Sequence, residues 1–215
     1  MTLNFEDKKK RAKNFNKALK KLYPNAGMIL QYKNNWELLV SVILSAQCMD
    51  VMVNKVTKKL FKKYKTLNDY VKANPKEFEK DIFSTGFYRN KTKNILAAAK
   101  KLQNDFRGRM PKTMKDILTL PGVARKTANV VLGNAYGAVE GIAVDTHVRR
   151  LSYRYGLTNS KDPIKIEKEL MELLPKKEWF GFTYRLIEFG RNACPARKHN
   201  CKKHVLGDLS LSTWP

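Results

Sequence analysis

A lysine and an aspartate stand out because each lies where a helix is predicted to begin. Lys126 lies in the segment LPGVARKTANVV (Leu120–Val131), which predicts a helix, a tight glycine-bearing turn and a second helix. Asp145 lies in AVDTH (Ala143–His147), 14 residues beyond that segment. An amine is a nucleophile only when it is neutral, and a carboxylate can stabilise a cation or carry a proton. The pair therefore has the chemistry to attack an electrophilic carbon and to stabilise the positive charge that develops.

The predicted position of Lys126 disfavours its protonated form. The positive end of the helix dipole and the neighbouring Arg125 both oppose a charge there, and partial burial would add to their effect. Plainer interpretations stay open. The lysine could be a solvated surface charge or a phosphate contact, and Asp145 or Thr146 could serve only as the N-cap of a helix.

The composition favours a polyanionic partner. The chain has 215 residues and a net charge of +24, from 43 basic and 19 acidic residues, a field that attracts nucleic acid. An AT-rich genome would also enrich lysine without selection for DNA binding. Apolar stretches such as Leu38–Leu44 are too short to span a membrane, and the first residues lack the apolar core of a signal peptide. We therefore expect a cytoplasmic, monomeric protein with reduced cysteines and no membrane partner.

Apolar residues recur with helical spacing along most of the chain, which predicts an all-α fold. No alternating strand pattern of useful length is present. Asp50 is a candidate N-cap, and the segment from Asn35 to Gln47 is apolar nearly all round, as expected of a buried helix. The predicted helices are 5–23, 35–47, 50–64, 67–73, 75–83, 90–106, 146–155, 163–174 and 178–189, besides the two flanking the turn at Gly122.

The turn itself is a candidate phosphate site. Pro121 disfavours helix at Leu120, and Gly122 permits positive φ. The next helix is predicted to start near Ala124 or Arg125, and its first N–H groups would face outward for an anion. An ordinary helix–helix turn is the alternative. If the backbone at Ala124 required positive φ, alanine would cost about 1 kcal/mol or more there.

Five segments together resemble the endonuclease III family of helix-hairpin-helix base-excision DNA glycosylases. Besides LPGVARKTANVV and AVDTH, they are LSAQCMDVMVNK (44–55), GFYRNKTKNI (86–95) and FGRNACPARKHNC (189–201). The resemblance implies a two-domain helix-hairpin-helix glycosylase fold. A six-helix barrel would span residues 28–140, and a discontinuous second helical domain would comprise residues 1–27 and 141–215.

The resemblance also implies an activity and a set of DNA contacts. Lys126 would displace the base and form a Schiff base, followed by β-elimination, and Asp145 would assist. The partner would be double-stranded DNA carrying damaged bases, such as oxidised pyrimidines, or abasic sites. Gln47 and Phe87 match the residues that fill the gap left by an extruded base, although burial of Phe87 in the core is an alternative. The remaining predicted DNA contacts are Gly122, Ala124, Arg125 and His147, with Arg149 and Arg150 nearby.

Two other functions stay open from the sequence. A monofunctional mismatch or uracil glycosylase could use the same fold, although members of that class tend to lack the lysine. A non-catalytic DNA-binding protein could use the hairpin only to grip the backbone. Lys126 argues against the monofunctional glycosylase, and the presence of both Lys126 and Asp145 argues against the non-catalytic protein.

The C-terminal loop departs from the family pattern. Many members bind a four-iron, four-sulfur cluster through C-x6-C-x2-C-x5-C, but here the four positions hold Cys194, Cys201, His204 and Ser210. Zinc on Cys194, His199, Cys201 and His204 is conceivable, but their spacing matches no established motif. We therefore expect no cofactor and no metal, in a loop held by packing whose basic residues can touch DNA.

Overall fold

The chain folds almost entirely into helices. A computed structural model describes residues 4–210, and that range contains no strand. The all-α prediction is confirmed. The α-helices are α1 Phe5–Leu22, α2 Asn35–Leu44, α3 Asp50–Lys63, α4 Leu67–Val71, α5 Pro75–Ile82, α6 Tyr88–Asp105, α7 Met114–Ile117, α8 Arg125–Tyr136, α9 Thr146–Arg154, α10 Pro163–Leu173 and α11 Lys176–Asn192, with short 3-10 turns at Phe83–Thr85, Cys201–Lys203 and Gly207–Leu209.

The helices form two compact units. One is continuous, Ile29–Ala138, and contains α2 to α8. The other is discontinuous: it joins the residues up to Met28 to those from Val139 onward, and contains α1 and α9 to α11. The domain boundaries predicted from the sequence, 28 and 140, stay a prediction. Residues 1–3 and 211–215, assigned there to the second domain, lie outside the described residues.

Helix α2 is the centre of the continuous unit. The side chain of Asn34 caps it by accepting a hydrogen bond from Glu37 N, and every residue from Glu37 to Leu44 is buried. It packs against α3, α6 and α8. The helix ends at Leu44 rather than at the predicted Gln47. Asp50 is already the first residue of α3 and not its N-cap, which is Met49.

An aromatic cluster holds the discontinuous unit together. Helix α1 packs on α10 and α11, and α9 packs on the same two helices. The ring of Phe15 on α1 stacks on that of Tyr155 with a centroid distance of 4.2 Å, and Phe189 of α11 meets both rings edge-on. The N-terminal helix is therefore bound to helices more than 120 residues further along the chain.

A buried carboxylate fixes α1 to the start of α11. Glu178 accepts hydrogen bonds from Asn16 Nδ2 at 3.0 Å, Lys20 Nζ at 2.8 Å and Arg185 NH1 at 3.1 Å. Burial by itself raises the pKa of Glu178, but the bonds from Lys20, Asn16 and Arg185 outweigh it and lower the pKa from 4.5 to about 2. The ionised carboxylate therefore stabilises the fold above pH 4.5, and this contribution is lost as the pH falls toward 2.

A Glu178→Gln variant should show this dependence directly. We expect it to lower the free energy of unfolding at pH 7 by about 2–3 kcal/mol, since a unit of pKa shift corresponds to about 1.4 kcal/mol. The difference from the unchanged protein should shrink as the pH falls from 4.5 toward 2. Denaturant unfolding at a series of pH values measures it. Glu172→Gln, an exposed glutamate on α10, is the matched control and should change little; an equal loss in both variants would contradict the assignment.

Candidate functional site

The hairpin before α8 has the geometry that its sequence predicts. Gly122 has φ +79°, and a Cβ there would lie 2.8 Å from Asn94 Cβ, so glycine is needed for both conformation and space. Ala124 is the N-cap of α8 with φ −93° and ψ 171°, an extended conformation that carries no strain. The N-cap side chain of Ala124 makes no capping hydrogen bond to α8. The predicted phosphate site at Gly122, Ala124 and Arg125 stays a prediction.

Lys126 is the second residue of α8 and its side chain is exposed. Partial burial, which was expected to help keep its amine neutral, is therefore absent. The helix N-terminus and the adjacent Arg125 are where the sequence predicts them. Lys126 lies on a helix whose start is set by the turn at Gly122, so the position of its Cα is well defined.

Gln47, Phe87 and Gly122 surround one cavity of the continuous unit. The cavity has a volume of about 230 Å³, and its other lining residues include Asn94 and Thr127. Phe87 is 64% exposed, which rules out its burial in the core. Three distant stretches of sequence thus contribute to one concave surface.

The backbone at both candidate gap-filling residues is left-handed. Gln47 has φ +53° and Phe87 has φ +48°, and within residues 4–210 only Arg107 is a further non-glycine residue with positive φ. Such conformations cost about 1–3 kcal/mol each and persist where the surrounding structure imposes them. The strain lies at the two exposed side chains that border the cavity, which supports a functional reason for it.

Lys91 is a buried residue that sequence reasoning missed. Its amine is 2.7 Å from Leu44 O and 2.8 Å from Thr85 O, and donates to both carbonyls. Leu44 is the last residue of α2, where a cation is favoured by the helix dipole, and Thr85 ends the turn just before Phe87. Burial lowers the pKa of Lys91. One ammonium group therefore fixes the backbone before Gln47 and before Phe87 at the same time.

Replacing Lys91 with methionine should loosen both segments. We expect Lys91→Met to reduce the free energy of unfolding by about 2 kcal/mol, because two carbonyls lose a charged donor. Lys93→Met is the matched control, because Lys93 is exposed on the same helix and its loss changes net charge equally. Denaturant unfolding measures the difference, and equal effects of the two variants would contradict this role.

Asp145 and His147 lie at the start of α9, in the discontinuous unit. Asp145 is the N-cap, and its Oδ1 accepts a hydrogen bond from Val148 N at 2.8 Å, as the simpler interpretation of this residue requires. His147 packs against Gly190 of α11, where any Cβ would collide with its Nδ1. Catalysis by Asp145 with Lys126, and contact of His147 with DNA, stay predictions. Arg150, considered as a phosphate contact, is instead buried and donates to Pro195 O at 3.3 Å.

The prediction that the C-terminal loop holds no metal is wrong. One ligand atom from each of Cys194, His199, Cys201 and His204 lies within 4.8 Å of the other three, so the group can hold a metal ion. Ser210, at the fourth position of the family cluster motif, is not part of this group. The sequence contained the right residues, but only folding of the loop shows that they converge.

No helix between residues 4 and 210 has both the length and the apolar character needed to cross a bilayer.

The chain matches known proteins over most of its length. The family model described as HhH-GPD superfamily base excision DNA repair protein matches residues 40–176. Endonuclease III of Synechocystis sp. is 50% identical over 205 residues, covering 95% of this chain and 94% of that one. Endonuclease III of Bacillus subtilis is 47% identical, covering 88% and 86%.

A solved structure matches equally well. A trapped covalent intermediate of Endonuclease III with DNA, in an estranged-adenine complex, superimposes with a TM-score of 0.90 at 43% identity, covering 94% of this chain and 95% of that one. The helical architecture, the hairpin and the extent of these similarities agree with one another. The chain therefore belongs to the endonuclease III family, within the HhH-GPD superfamily of base excision DNA repair proteins.

Proposed function

We propose that this protein is a bifunctional DNA glycosylase and abasic-site lyase that removes oxidised pyrimidines from double-stranded DNA. The observation that carries the proposal is 50% identity with Endonuclease III over 95% of the chain. A relative at 43% identity has been trapped as a covalent intermediate with DNA, the kind of species that a nucleophilic amine produces. We expect the protein to work as a monomer in the cytoplasm, on damaged bases and abasic sites.

The chemistry begins with neutral Lys126. Its nitrogen lone pair attacks the sugar C1′, the N-glycosidic bond breaks, and the base leaves with the bonding electrons and takes up a proton. Opening of the sugar ring gives a protonated Schiff base between Lys126 and C1′. The imine acidifies the C2′ proton, so its removal expels the 3′ phosphate and cuts the strand. Water then hydrolyses the imine and frees the lysine.

Asp145 supplies a negative charge during these steps. The developing oxocarbenium ion and the protonated imine are both cations, and a carboxylate stabilises each of them. The same group can accept and return the protons that the lysine and the sugar exchange. In this proposal Asp145 keeps its N-cap bond to Val148 N through one oxygen, which leaves the second oxygen for the sugar.

The continuous unit provides the means to reach the sugar. The target nucleotide must rotate out of the duplex, and Gln47 and Phe87 occupy the space that it leaves. The Phe87 ring can stack on the neighbouring bases, since it is exposed beside the cavity. The N–H groups at Gly122, Ala124 and Arg125 hold a phosphate of the same strand, and His147 holds another. The net charge of +24 strengthens every phosphate contact.

Borohydride trapping tests the proposal. A duplex with one oxidised pyrimidine is incubated with the protein and sodium borohydride, which reduces a Schiff base to a stable amine. We expect a covalent protein–DNA adduct, and without borohydride a free base and a strand cut 3′ to the lesion. Base release without an adduct would instead indicate a monofunctional glycosylase. Salt-sensitive binding without base release would indicate a DNA-binding protein that lacks the activity.

A further inference from the structure

The loop after α11 brings two thiols and two imidazoles to one point, in the region where the family pattern has a four-thiolate cluster. Cys194 is fully buried, and His199, Cys201 and His204 are half-buried. An iron–sulfur cluster of this type takes four thiolates. The loop offers only two, because histidine and serine stand at positions 204 and 210. The residues present therefore do not fit the family's cluster.

The spacing of the donor atoms fits a single ion better than a cluster. Bond lengths of roughly 2.0–2.3 Å to zinc place tetrahedral ligand atoms about 3.3–3.8 Å apart. The four donors lie within 4.8 Å of one another, and Cys201 Sγ is 3.5 Å from His199 Nε2. A four-iron core is itself several ångströms wide and would force its ligands further apart. Two thiolates and two neutral imidazoles around one dication also give a site without net charge.

The surroundings of the histidines orient them as ligands. His199 Nδ1 is 2.8 Å from Arg197 O, so this nitrogen donates its proton there. The lone pair is then on Nε2, the ligand atom, which Arg154 NH1 approaches at 3.5 Å. Both ring nitrogens of His204 are buried with no hydrogen-bond partner. A buried polar group without a partner is costly, and coordination of a metal would satisfy one of these nitrogens.

Two buried arginines point at the sulfur of Cys194. Arg154 NH1 lies 3.0 Å from Cys194 Sγ, and Arg150 NH1 lies 3.9 Å from it. Both arginines are 5% exposed, so their charges act on the sulfur with little screening by water. Donors of this kind commonly surround metal-bound groups and hold them in place.

We propose that Cys194, His199, Cys201 and His204 bind one Zn²⁺ ion in a tetrahedral structural site. A site with four protein ligands is closed to substrate, so the ion serves folding rather than catalysis. It anchors the loop to α9, through the contacts of Arg150 and Arg154, and fixes the exposed residues Arg197, Lys198 and Lys203 on its surface. Zinc has no redox chemistry, so this site differs in kind from an iron–sulfur cluster.

Metal analysis of the purified full-length protein tests the proposal. Zinc, iron, copper and acid-labile sulfide are measured per chain, on protein prepared without a metal-binding tag. We expect about one zinc per chain and no sulfide. Iron with sulfide, or a protein that neither contains zinc nor takes it up after reduction of its thiols, would overturn the proposal.

Variants locate the ion within the chain. His199→Ala and Cys201→Ser should each lower zinc affinity by about 100-fold or more, because loss of a ligand is at least as severe as loss of its supporting bonds. Lys203→Ala lies between two ligands and is the matched control for zinc content. Zinc that persists in both ligand variants would overturn the assignment.

Cobalt replaces zinc in a further measurement, which does not depend on the variants folding. Co²⁺ bound to the unchanged protein should show the strong visible bands of tetrahedral coordination and a sulfur-to-cobalt charge-transfer band. The weak spectrum of octahedral Co²⁺ would contradict the site. Chelation of zinc should also lower the melting temperature, since the ion binds only the folded loop.

Discussion

A Lys126→Ala variant is expected to form no covalent adduct with lesion-bearing DNA under borohydride. The methyl group has no lone pair to attack C1′, so neither the Schiff base nor the β-elimination that depends on it can occur. We expect trapping and strand cleavage to fall by at least about 1,000-fold, as for other nucleophiles removed from an enzyme. Gel analysis of the trapped species and the cut strand measures both effects.

Lys126→Arg separates loss of the nucleophile from loss of charge. Arginine keeps the positive charge at the start of α8 but stays protonated and forms no Schiff base. We expect DNA affinity close to that of the unchanged protein, together with the same loss of trapping as in Lys126→Ala. Adducts that survive in both variants would assign the nucleophile to another amine. Lys126 is exposed, so neither change should unfold the protein.

The helices were predictable because their signals are local. Asn4, Thr66 and Asn74 each accept a backbone N–H at a helix start, and each is a residue type that favours this position. Most helix ends were placed within two residues. The end of α2 was not, because an apolar pattern continues to Gln47 while the backbone turns left-handed there. Sequence periodicity does not register such a change of conformation.

The sequence predicted which residues form the candidate site better than it predicted the contacts that hold them in place. Positive φ at Gly122 was predictable from the Pro-Gly sequence. The candidacy of Lys126 was predictable from its place at the start of a helix. The role of Lys91 was not, because its acceptor Leu44 lies 47 residues away. Similarly, the sequence did not favour His199 as a metal ligand, because the spacing C-x4-H-x-C-x2-H matches no established motif. Its place in a group that can hold a metal became apparent only when the fold brought Cys194 and Arg154 beside it.

The two strained residues and Lys91 share a physical explanation. In the proposed mechanism, Gln47 and Phe87 must project from the protein surface without help from DNA, so the backbone beneath them must be rigid. Left-handed conformations at Gln47 and Phe87 direct the side chains outward, and the Lys91 ammonium holds the preceding carbonyls in place. The stability given up at two residues is offset by charged hydrogen bonds at a third.

Asp145→Asn is expected to keep the fold and to lose most of the activity. An asparagine amide oxygen can accept the bond from Val148 N as the carboxylate does, so the free energy of unfolding should change by no more than about 0.5 kcal/mol. It carries no charge to stabilise the cationic sugar and cannot take up a proton. We expect release of the damaged base to slow by about 100-fold or more, at the level typical for a general acid–base group. Thermal melting and single-turnover kinetics measure the two quantities on the same sample.

Asp145→Ala completes the comparison, because it removes the cap and the charge together. It should lose about 1 kcal/mol of stability, while its activity matches that of Asp145→Asn. If Asp145 were only an N-cap, the order would differ: the asparagine variant would retain activity, and the alanine variant would lose stability alone. An asparagine variant with unchanged kinetics would therefore remove Asp145 from the proposed chemistry and leave Lys126 to act with another group. The N-cap geometry makes this separation possible, since it offers a substitution that changes charge without changing the helix start.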